Sequence, residues 1–409
     1  MNNIIKKKVI LAFSGGLDTS YCAVYLQKEG FDVICVTVDT GGFSNEELSA
    51  IKEKAENLGI KKAYIIDAKQ KLYDEIFSYF IKGNVLRGGV YPSSAGAERL
   101  IQAKEVIEIA KKEKAYAIAH GSTAAGNDII RFNVAIKTLA PEIKIIAPIA
   151  ELGLTRVKEA EYLKLHGYKV SNTQKEYSIN QGMLGTTIGG KETLDSWQVP
   201  PDSVYPNVIP IEKTPNQAEE IIISFEKGLP VKINGEKLES LTLIKKLADI
   251  GNKHGAGKNI HLGDTILGIK GRIAFEASAI TIAIKAHKEL EKLVLTKWQQ
   301  FWKGTLSEVY GNFLHEALFF EPLIIDIQKF IDSTQDVVTG DVKVKLFKGN
   351  VIIEGVKSPY SMMNKEIANY GEDNKLWTGS DVMGFTQIYG LQGILAQKAK
   401  LLGNKNEKN

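Results

Sequence analysis

The stretch "VILAFSGGLDTSYCAVYLQKEG", residues 9–30, decides how the chain begins to fold. Its first five residues, Val9–Phe13, form an apolar run typical of a strand buried on both faces, and a helical pattern starts at Thr19. The glycines between them allow a tight turn and a close approach of the backbone to a ligand. Unpaired N–H groups at a helix start attract anions, and Ser14, Thr19 and Ser20 add hydroxyl groups. We therefore interpret this turn as a candidate phosphate-binding loop.

The first 170 residues alternate strand-like and helix-like patterns, which predicts a doubly wound parallel sheet and the α/β class. The predicted strands are Val9–Phe13, Val33–Val38, Ala63–Ile66, Tyr116–Ala119 and Ile143–Ala147. The predicted helices are Thr19–Glu29, Asn45–Asn57, Ala97–Lys112 and Asp128–Leu139. In such sheets ligands bind at the carboxyl ends of the strands, which is where the glycine turn lies.

Asp18 is the unexpected member of the turn because a carboxylate repels phosphate. A Mg²⁺ ion held between Asp18 and the phosphates would remove that repulsion. The alternative is an ordinary strand-to-helix turn in which Asp18 caps the helix and nothing binds. The position after the first strand of a doubly wound sheet favours the phosphate interpretation.

The pattern changes near residue 170, where a polar, glycine-rich stretch and a cluster of prolines follow. Strand-like runs at 219–235 and 341–356 then mix with the predicted helices Leu241–Gly251 and His287–Phe301. An amphipathic pattern over 380–403 predicts a last helix. The expected organisation is a nucleotide-binding domain over 1–170, an α+β domain over 171–385, and a C-terminal helix and tail over 386–409.

Composition limits the classes of function. The 409 residues are 44% hydrophobic and 24% charged, which is typical of a soluble globular protein of about two domains. A formal net charge of +4 without a concentrated basic segment argues against nucleic acid as a partner. No apolar run has membrane-spanning length, so no membrane partner is expected. The two cysteines, Cys22 and Cys35, have no metal-ligand spacing, which predicts a reducing, cytoplasmic location without disulfides.

Two common nucleotide-binding motifs are missing. The segment "NKHGAGKN", residues 252–259, lacks the first glycine and the final hydroxyl residue of a Walker A motif, so we predict a helix end and turn there. No G-x-G-x-x-G opens the first helix, which disfavours a nicotinamide cofactor. "SGGLDTS", residues 14–20, resembles instead the pyrophosphate loop of the ATP pyrophosphatases, which split ATP between the α and β phosphates. The loop alone does not choose among these enzymes.

A second stretch, "AHGSTAAGNDIIRF" at residues 119–132, also follows a predicted strand and opens a predicted helix. It must therefore lie on the same edge of the sheet. Asn127 and Asp128 fit a helix cap, but Thr123 and Arg131 add more polar groups than a cap requires. A hydroxyl, an amide, a carboxylate and a guanidinium together suit a zwitterionic amino acid.

Taken together, "AFSGGLDTS" and "HGSTAAGNDIIRF" resemble the argininosuccinate synthase family. Similar stretches run along nearly the whole chain and include "IKIIAPIAE", "KEYSIN", "LGIKGR", "IKAHKELEKLVL", "FIDSTQDVVTGDVKVKLFKGN" and "GVKSPYSM". The resemblance implies an ATP- and Mg²⁺-dependent carbon–nitrogen ligase of arginine biosynthesis. Citrulline would attack ATP to give citrullyl-AMP and pyrophosphate, and aspartate would then displace AMP to give argininosuccinate. It also implies a homotetramer, a second domain devoted to synthesis and multimerisation, and no protein nucleophile.

The resemblance assigns roles residue by residue. The ATP-binding residues would be Ala12, Phe13, Ser14, Gly15, Gly16, Leu17, Asp18, Thr19, Ser20, Val38 and Gly121. Thr123, Asn127 and Asp128 would bind aspartate. Citrulline would be held by Tyr91, Asn127, Arg131, Ser178 and Thr187, the last standing where the family usually has serine. The catalytic positions would be Asp18, Asn127, Asp128 and Arg131. No dedicated metal ligands are expected, since Mg²⁺ would come with the ATP phosphates and meet at most Asp18.

This sequence departs from the family pattern on the citrulline side. Ala125 replaces a lysine and Gly96 a serine, while Gly263 and Phe275 stand where the family has a citrulline-binding glutamate and tyrosine. Either Asp264 or Glu276 supplies the missing carboxylate, or the substrate amine is acylated and Gly263 makes room for the acyl group. The open alternatives are therefore the same chemistry on an N-acylated citrulline, or a non-catalytic nucleotide-binding protein. The polar aspartate-site residues disfavour the second.

Overall fold

The computed structural model describes residues 6–170, 176–364, 366 and 376–406. The predicted boundary at residue 170 adjoins residues 171–175, and these, like the last three residues of the predicted C-terminal segment, lie outside the described part. The chain forms two compact units, Met1–Tyr360 and Ser361–Asn409. Each unit is described by itself below.

The first sheet is parallel throughout, with the strand order β3-β2-β1-β4-β5. Its strands are β1 (Lys8–Ala12), β2 (Asp32–Asp39), β3 (Lys62–Asp67), β4 (Ala117–Ala119) and β5 (Lys144–Ile146). The helices that surround it are α1 (Leu17–Lys28), α2 (Asn45–Asn57), α3 (Lys69–Leu72), α4 (Ser78–Gly83), α5 (Ser94–Lys112), α6 (Asn127–Leu139), α7 (Pro148–Glu151) and α8 (Arg156–Leu165). The predicted α/β class is confirmed, and each predicted strand and helix of this part is present with ends shifted by a few residues. The pattern gave no prediction for α3, α4 or the π-helical turn Tyr73–Phe77 between them.

Both faces of this sheet are buried, which is why its strands have no polar alternation. Val9 and Leu11 belong to one hydrophobic cluster, whereas Ile10 between them belongs to the other. The strand order reverses direction on the two sides of β1, because β2 and β3 lie on one side and β4 and β5 on the other. A crevice therefore opens at the carboxyl ends of β1 and β4, and both polar motifs follow these two strands.

The rest of the first unit contains two antiparallel sheets, ordered β10-β9-β8-β13-β14 and β11-β12-β7-β6. The strands are β6 (Ser178–Gly182), β7 (Gly185–Gly189), β8 (Glu219–Glu226), β9 (Leu229–Ile233), β10 (Glu236–Lys237), β11 (Lys258–Asp264), β12 (Lys270–Glu276), β13 (Gly340–Phe347) and β14 (Asn350–Lys357). The helices are α9 (Ser240–Lys253), α10 (Ser278–Val294), α11 (Lys297–His315) and α12 (Pro322–Gln335). This arrangement confirms the predicted α+β character of the second part.

Two local predictions have opposite outcomes. The segment 252–259 ends α9 and turns through Gly255 and Gly257, both with positive φ, as predicted. The single helix predicted over His287–Phe301 is wrong, because α10 stops at Val294 and α11 starts at Lys297. Thr296 causes the break by capping α11, since its hydroxyl accepts from the Gln299 N–H at 3.3 Å and the Gln299 side chain accepts from the Thr296 N–H at 3.0 Å.

The second compact unit contains α13 (Gly379–Tyr389) and α14 (Leu391–Asn406). The single amphipathic helix predicted for 380–403 is therefore two helices that meet at Gly390. Thr378 starts α13 with a capping box, because its side chain and that of Asp381 each bond the other's backbone N–H. No helix in the described ranges is long and apolar enough to cross a membrane.

Candidate active site

A cleft of about 1090 Å³ opens at the carboxyl ends of the parallel strands. Its walls come from the loops after β1 and β4, from the first turns of α5 and α6, and from β6, β7, β11 and β12. The cleft brings together most of the predicted site residues: Ala12, Phe13, Ser14, Gly16, Asp18, Thr19, Val38, Tyr91, Gly121, Thr123, Asn127, Asp128, Arg131, Ser178 and Thr187. Residues predicted for ATP, aspartate and citrulline therefore share one cavity.

Three residues predicted to bind ATP do not line the cleft; they build the loop instead. Gly15 has a φ of +72°, which favours glycine, and a Cβ added there would lie 3.1 Å from the Ile51 side chain of α2. The Gly15 carbonyl accepts from Lys54 Nζ at 2.5 Å. Ser20 is buried and its hydroxyl donates to the Gly16 carbonyl at 2.6 Å, while Leu17 packs against the core. These contacts fix the shape of the phosphate loop from the side that faces away from the cleft.

Gly121 makes the two motif loops fit together. A Cβ at this position would lie 3.2 Å from the backbone carbonyl carbon of Asp18 and 3.2 Å from the backbone nitrogen of Thr19. The loop after β4 therefore packs directly on the N-terminus of α1. Because only a glycine allows this approach without a shift, the second motif can face a ligand held at the first.

Asp18 and Glu159 form a carboxyl pair beneath the phosphate loop. Glu159, on α8, is 1% exposed, and the Asp18 Oδ1 and Glu159 Oε2 atoms are both buried without another partner. Burial, reinforced by the hydrogen bond to Asp18, raises the pKa of Glu159 to about 8. Glu159 is therefore protonated at neutral pH.

A hard cation such as Mg²⁺ fits this position if the nucleotide carries it. Mg²⁺ prefers oxygen ligands and is held in many enzymes by one or two carboxylates together with substrate phosphates. Asp18 lines the cleft and supplies one charged carboxylate. Within the described residues no group of three or more acidic, histidine or cysteine side chains could hold a metal on its own. The donor set thus agrees with a metal that arrives with ATP.

Asp128, at the start of α6, is held by two guanidinium groups. Its Oδ2 accepts from Arg99 Nε at 3.0 Å, and its Oδ1 accepts from Arg131 Nη1 at 2.8 Å. Burial opposes ionisation of Asp128, but Arg99 and Arg131 outweigh it and hold the pKa of the carboxyl below its usual value. The charged carboxylate is thus fixed in position and orientation before any substrate binds.

Arg131 is in turn anchored on its far side by α11. Its Nε and Nη2 donate to the His315 carbonyl at 3.3 and 3.2 Å, and His315 Nε2 lies 3.0 Å from the Asp264 carbonyl. Gly96 leaves room for the Arg131 guanidinium, because a Cβ at residue 96 would lie 3.2 Å from Arg131 Cζ. The serine-to-glycine departure noted in the sequence therefore accommodates Arg131 in this chain.

Further hydrogen bonds connect the parallel-sheet part to the antiparallel part across the cleft. Arg99 Nη2 donates to Asn180 Oδ1 at 3.0 Å, which ties α5 to β6. Asn127 Oδ1 accepts from the Ile266 N–H at 3.0 Å, which ties α6 to the turn between β11 and β12. The Asn127 amide nitrogen is left to face a ligand.

The far end of the cleft is lined by aromatic rings, with Arg87 and Arg131 nearby. The Tyr91 ring stacks on His261 at 5.3 Å between centroids and lies tilted against Phe275 at 5.1 Å. Burial raises the pKa of Tyr91 to about 12. Burial, with the nearby Arg87, lowers the pKa of His261, and burial with Arg87 and Arg131 lowers that of His315 to about 4. Both imidazoles are therefore neutral at pH 7.

Two interpretations of the predicted citrulline side, where the sequence departs from the family pattern, need correction. Glu276 is not a free carboxylate for a substrate, because it accepts from the backbone N–H groups of Asn207 and Val208 at 3.2 and 2.9 Å. Gly263 does not itself leave empty space, because a Cβ there would lie 2.6 Å from His261 Nε2. The imidazole fills the volume beside the glycine. Asp264 lines the cleft, but its carboxylate is paired with Lys270 at 2.6 Å.

Several cleft residues escaped prediction from the sequence. They are Arg87, Arg99, Arg156, Asn180, His261 and His315. None follows a strand of the parallel sheet, so the rule that ligands bind at strand ends gives no reason to select them. Arg99 carries one usable signal, since it is an arginine near the start of a predicted helix, eight residues after Tyr91.

Comparisons with known proteins agree with this site. Residues 8–169 match the model of the arginosuccinate synthase N-terminal HUP domain, and residues 177–396 match that of the arginosuccinate synthase C-terminal domain. The chain belongs to the argininosuccinate synthase family. A relative from Pyrococcus furiosus named argininosuccinate synthase is 41% identical over 394 residues, which cover 95% of this chain and 94% of the relative. One of the same name from Staphylococcus aureus strain JH9 is 39% identical over 388 residues, 95% of this chain and 96% of the relative.

Family membership confirms the predicted resemblance, the fold class and the enzyme class. The chain is an ATP-dependent carbon–nitrogen ligase of the citrulline–aspartate type, acting in arginine biosynthesis. The alternative of a non-catalytic nucleotide-binding protein is not needed to explain any residue of the cleft. The roles of individual residues are a separate matter, which the geometry of the cleft addresses below.

Proposed function

We propose that the cleft binds ATP at the β1 loop and joins citrulline to aspartate between the two motif loops. The single observation that carries this assignment is the Asp128 carboxylate clamped by Arg99 and Arg131 on the rim opposite the phosphate loop. A site for nucleotide alone would not need an oriented carboxylate there. An amino-acid ammonium group is the natural partner of such a carboxylate.

In the nucleotide half, Ser14, Gly16 and Thr19 bind the phosphates. Their backbone N–H groups lie at the N-terminus of α1, where the helix dipole favours an anion. Ala12, Phe13, Val38 and Gly121 bind the rest of the nucleotide, and Gly15, Leu17 and Ser20 support the loop. Asp18 holds Mg²⁺ together with the ATP phosphates, where the metal would offset phosphate charge.

In the amino-acid half, Thr123, Asn127 and Asp128 bind aspartate. Citrulline lies against Tyr91, Asn127, Arg131, Ser178 and Thr187. Asp18, Asn127, Asp128 and Arg131 are the residues closest to the reacting atoms. Each is fixed by a contact described above, so the protein contributes mainly position and preorganised charge.

The reaction proceeds by two displacements. The citrulline ureido oxygen attacks the α-phosphorus of ATP, the bond to the β-phosphate oxygen breaks, and pyrophosphate leaves. The aspartate amine then attacks the ureido carbon of citrullyl-AMP, loses a proton, and AMP leaves with the former ureido oxygen. Neither cysteine takes part, and both are buried and unpaired.

The cellular location, the roles of the domains and the oligomeric state are also proposals. The free state of both cysteines supports a reducing cytoplasm. We assign ATP binding to residues 1–170, synthesis and multimerisation to 171–385, and subunit contact in a homotetramer to the C-terminal helix and tail, 386–409. Large apolar side chains along that segment, among them Ile388 and Leu395, support the last assignment.

The test is pyrophosphate release by the purified protein with MgATP and with citrulline and aspartate added separately and together. We expect full release and argininosuccinate only with both amino acids, and ATP–pyrophosphate exchange with citrulline alone. Asp18→Asn should abolish both activities with the fold intact, whereas Asp326→Asn on the exposed face of α12 should change neither. Release that is independent of both amino acids would refute the assignment.

A further inference from the structure

Arg156 is a cation of the cleft to which the reaction described above gives no task. It lines the cleft from the first position of α8, and its side chain is exposed. Within the described residues its guanidinium forms no ion pair and no hydrogen bond. The acidic residue one turn later, Glu159, is 1% exposed and is hydrogen-bonded to Asp18. The charge of Arg156 is therefore available to a ligand in the cleft.

The packing of α8 against α1 places Arg156 beside the phosphate loop. The Asp18 and Glu159 carboxyls are hydrogen-bonded, and three residues further along each helix the Tyr21 and Tyr162 rings lie 4.8 Å apart between centroids. Because the spacing is the same on both chains, the two helices run side by side in the same direction. One turn before Asp18 lie the glycines of the phosphate loop, and one turn before Glu159 lies Arg156.

The other arginines of the cleft are engaged or lie at its other parts. Arg99 and Arg131 bond the Asp128 carboxylate. Arg272 donates to backbone carbonyls at 3.1 and 2.6 Å, and Arg87 lies at the aromatic far end. Among the described residues, these four and the arginine of α8 are the only lysine or arginine side chains that line the cleft. One cation is thus left for the phosphate end.

Helix stability does not explain why an arginine occupies this position. The first turn of a helix favours acidic residues, because the helix dipole places partial positive charge there. Thr155 already caps α8, since its hydroxyl accepts from the Lys158 N–H at 3.5 Å. Neither capping nor ion pairing within the described residues therefore accounts for Arg156, whereas an anionic ligand beside it would.

The first displacement of the proposed function produces such an anion. When the bond between the α-phosphorus and the bridging oxygen breaks, its electron pair stays on that oxygen and pyrophosphate leaves. Asp18, which lines the same end of the cleft, adds negative charge there. A guanidinium is suited to this task, because it donates two parallel hydrogen bonds to phosphate oxygens and stays charged at every working pH.

We propose that Arg156 binds the β- and γ-phosphates of ATP and stabilises pyrophosphate as it leaves. It donates hydrogen bonds to their oxygens and transfers no proton. This inference rests on the proposed function and adds to it a residue for the leaving group. AMP has neither of these phosphates, so Arg156 should matter for ATP and pyrophosphate but not for AMP.

The experiment compares Arg156→Met, which removes the charge at similar length, with Arg156→Lys, which keeps it. Lys158→Met is the matched control, because it makes the same change of charge at an exposed position of α8 that does not line the cleft. We expect Arg156→Met to lower kcat/KM for ATP and to raise the inhibition constant of pyrophosphate, each by about 10- to 100-fold. The inhibition constant of AMP should stay within about twofold. Arg156→Lys should recover part of the loss, and Lys158→Met should match the wild type.

Calorimetric titration of each protein with pyrophosphate in the presence of Mg²⁺ gives a measurement that does not depend on turnover. Equal weakening of pyrophosphate and AMP by Arg156→Met would indicate a structural role and overturn the inference. Values within about twofold of the wild type, or the same loss in Lys158→Met, would also overturn it. A wild type that binds pyrophosphate through Arg156 but does not join citrulline to aspartate would refute the proposed function alone.

Discussion

Asp128 shows at the scale of single residues how the cleft prepares a charge for its substrate. A carboxylate that is partly removed from water is less ready to ionise, yet Arg99 and Arg131 bond both oxygens of Asp128 and hold the pKa of its carboxyl below the usual value. Its orientation is thus set by the protein. The energetic cost of ordering the group is met on folding, before any substrate arrives.

Asp128→Asn should impair mainly the second displacement. Loss of the charge removes the partner of the aspartate ammonium and leaves two guanidinium groups without an anion. We expect kcat/KM for aspartate to fall by about 30- to 1,000-fold, or about 2–4 kcal/mol. ATP–pyrophosphate exchange with citrulline should be largely retained. An unchanged response to aspartate concentration would contradict the role assigned to this residue.

Glu98, one residue before Arg99, gives a prediction about pH. It is 2% exposed, one of its oxygens has no partner, and burial raises its pKa to about 8. The native state therefore holds a proton on Glu98 that the unfolded chain loses near pH 4.5. Stability must fall as pH rises between these values, by up to about 1.4 kcal/mol for each pH unit.

Glu98→Gln removes this titration and keeps the shape. Its melting temperature relative to the wild type should rise steadily from about pH 5 to about pH 8.5, as measured by thermal unfolding in one buffer series. Glu108→Gln, on an exposed position of the same helix, is the control and should show no such trend. A constant difference between Glu98→Gln and wild type across the series would mean that Glu98 is ionised throughout.

Only some residues of the cleft could be predicted from the sequence, and the reason is physical. Ser14, Thr123 and Asp128 could be found because they follow strands of a parallel sheet, where ligand sites are known to lie. Arg87 and His261 could not, because a loop and an antiparallel strand bring them to the cleft through long-range packing. Gly15 was predicted to bind ATP, but it does not line the cleft, and a Cβ at this position would lie 3.1 Å from the Ile51 side chain.

The hairpin β6–β7 is the element that closes the cleft over the parallel sheet. A Cβ on Gly182, at its turn, would overlap the Glu98 carboxyl, and Glu98 also interacts with the Leu184 backbone and the Thr40 hydroxyl. The same hairpin carries Ser178, Asn180 and Thr187 into the cleft. The packing of one buried carboxyl against one glycine therefore sets where this wall of the cleft lies.

Gly182→Ala should displace this hairpin. The added methyl has no space beside Glu98, so we expect a loss of about 1–3 kcal/mol of stability and a raised KM for citrulline. Glu98→Ala removes the obstructing group, so the double variant should recover much of the stability that Gly182→Ala loses. Denaturant unfolding of the four proteins in a double-mutant cycle measures this coupling. Additive effects would show that the two positions do not share the space.

At the scale of the whole molecule, the antiparallel sheet β11-β12-β7-β6 completes the cleft that begins at the parallel sheet. The parallel sheet alone presents a nucleotide site at the switch point of its strand order, with an open rim. Strands β6, β7, β11 and β12 add the far wall of the cleft. The sequence predicted the parallel sheet and the α+β character of the second part, but not that strands of the second part complete the cleft of the first.

The C-terminal helices lead to a prediction about assembly. If the segment containing α13 and α14 joins subunits into a tetramer, a chain that ends at residue 360 should have a lower oligomeric state. Light scattering coupled to size-exclusion chromatography measures the mass of both proteins. Ile388→Glu and Leu395→Glu in the full chain should have the same effect, whereas Lys398→Glu should not. A tetramer that persists without the segment would place the subunit contact elsewhere.

The central claim is that the citrulline ureido oxygen attacks the α-phosphorus of ATP in this cleft. Citrulline labelled with ¹⁸O at the ureido oxygen tests it most directly, with the products of a full reaction analysed by mass spectrometry. The account predicts one ¹⁸O atom in the AMP phosphate and none in the pyrophosphate or in argininosuccinate. Unlabelled AMP, or label found in pyrophosphate, would contradict it.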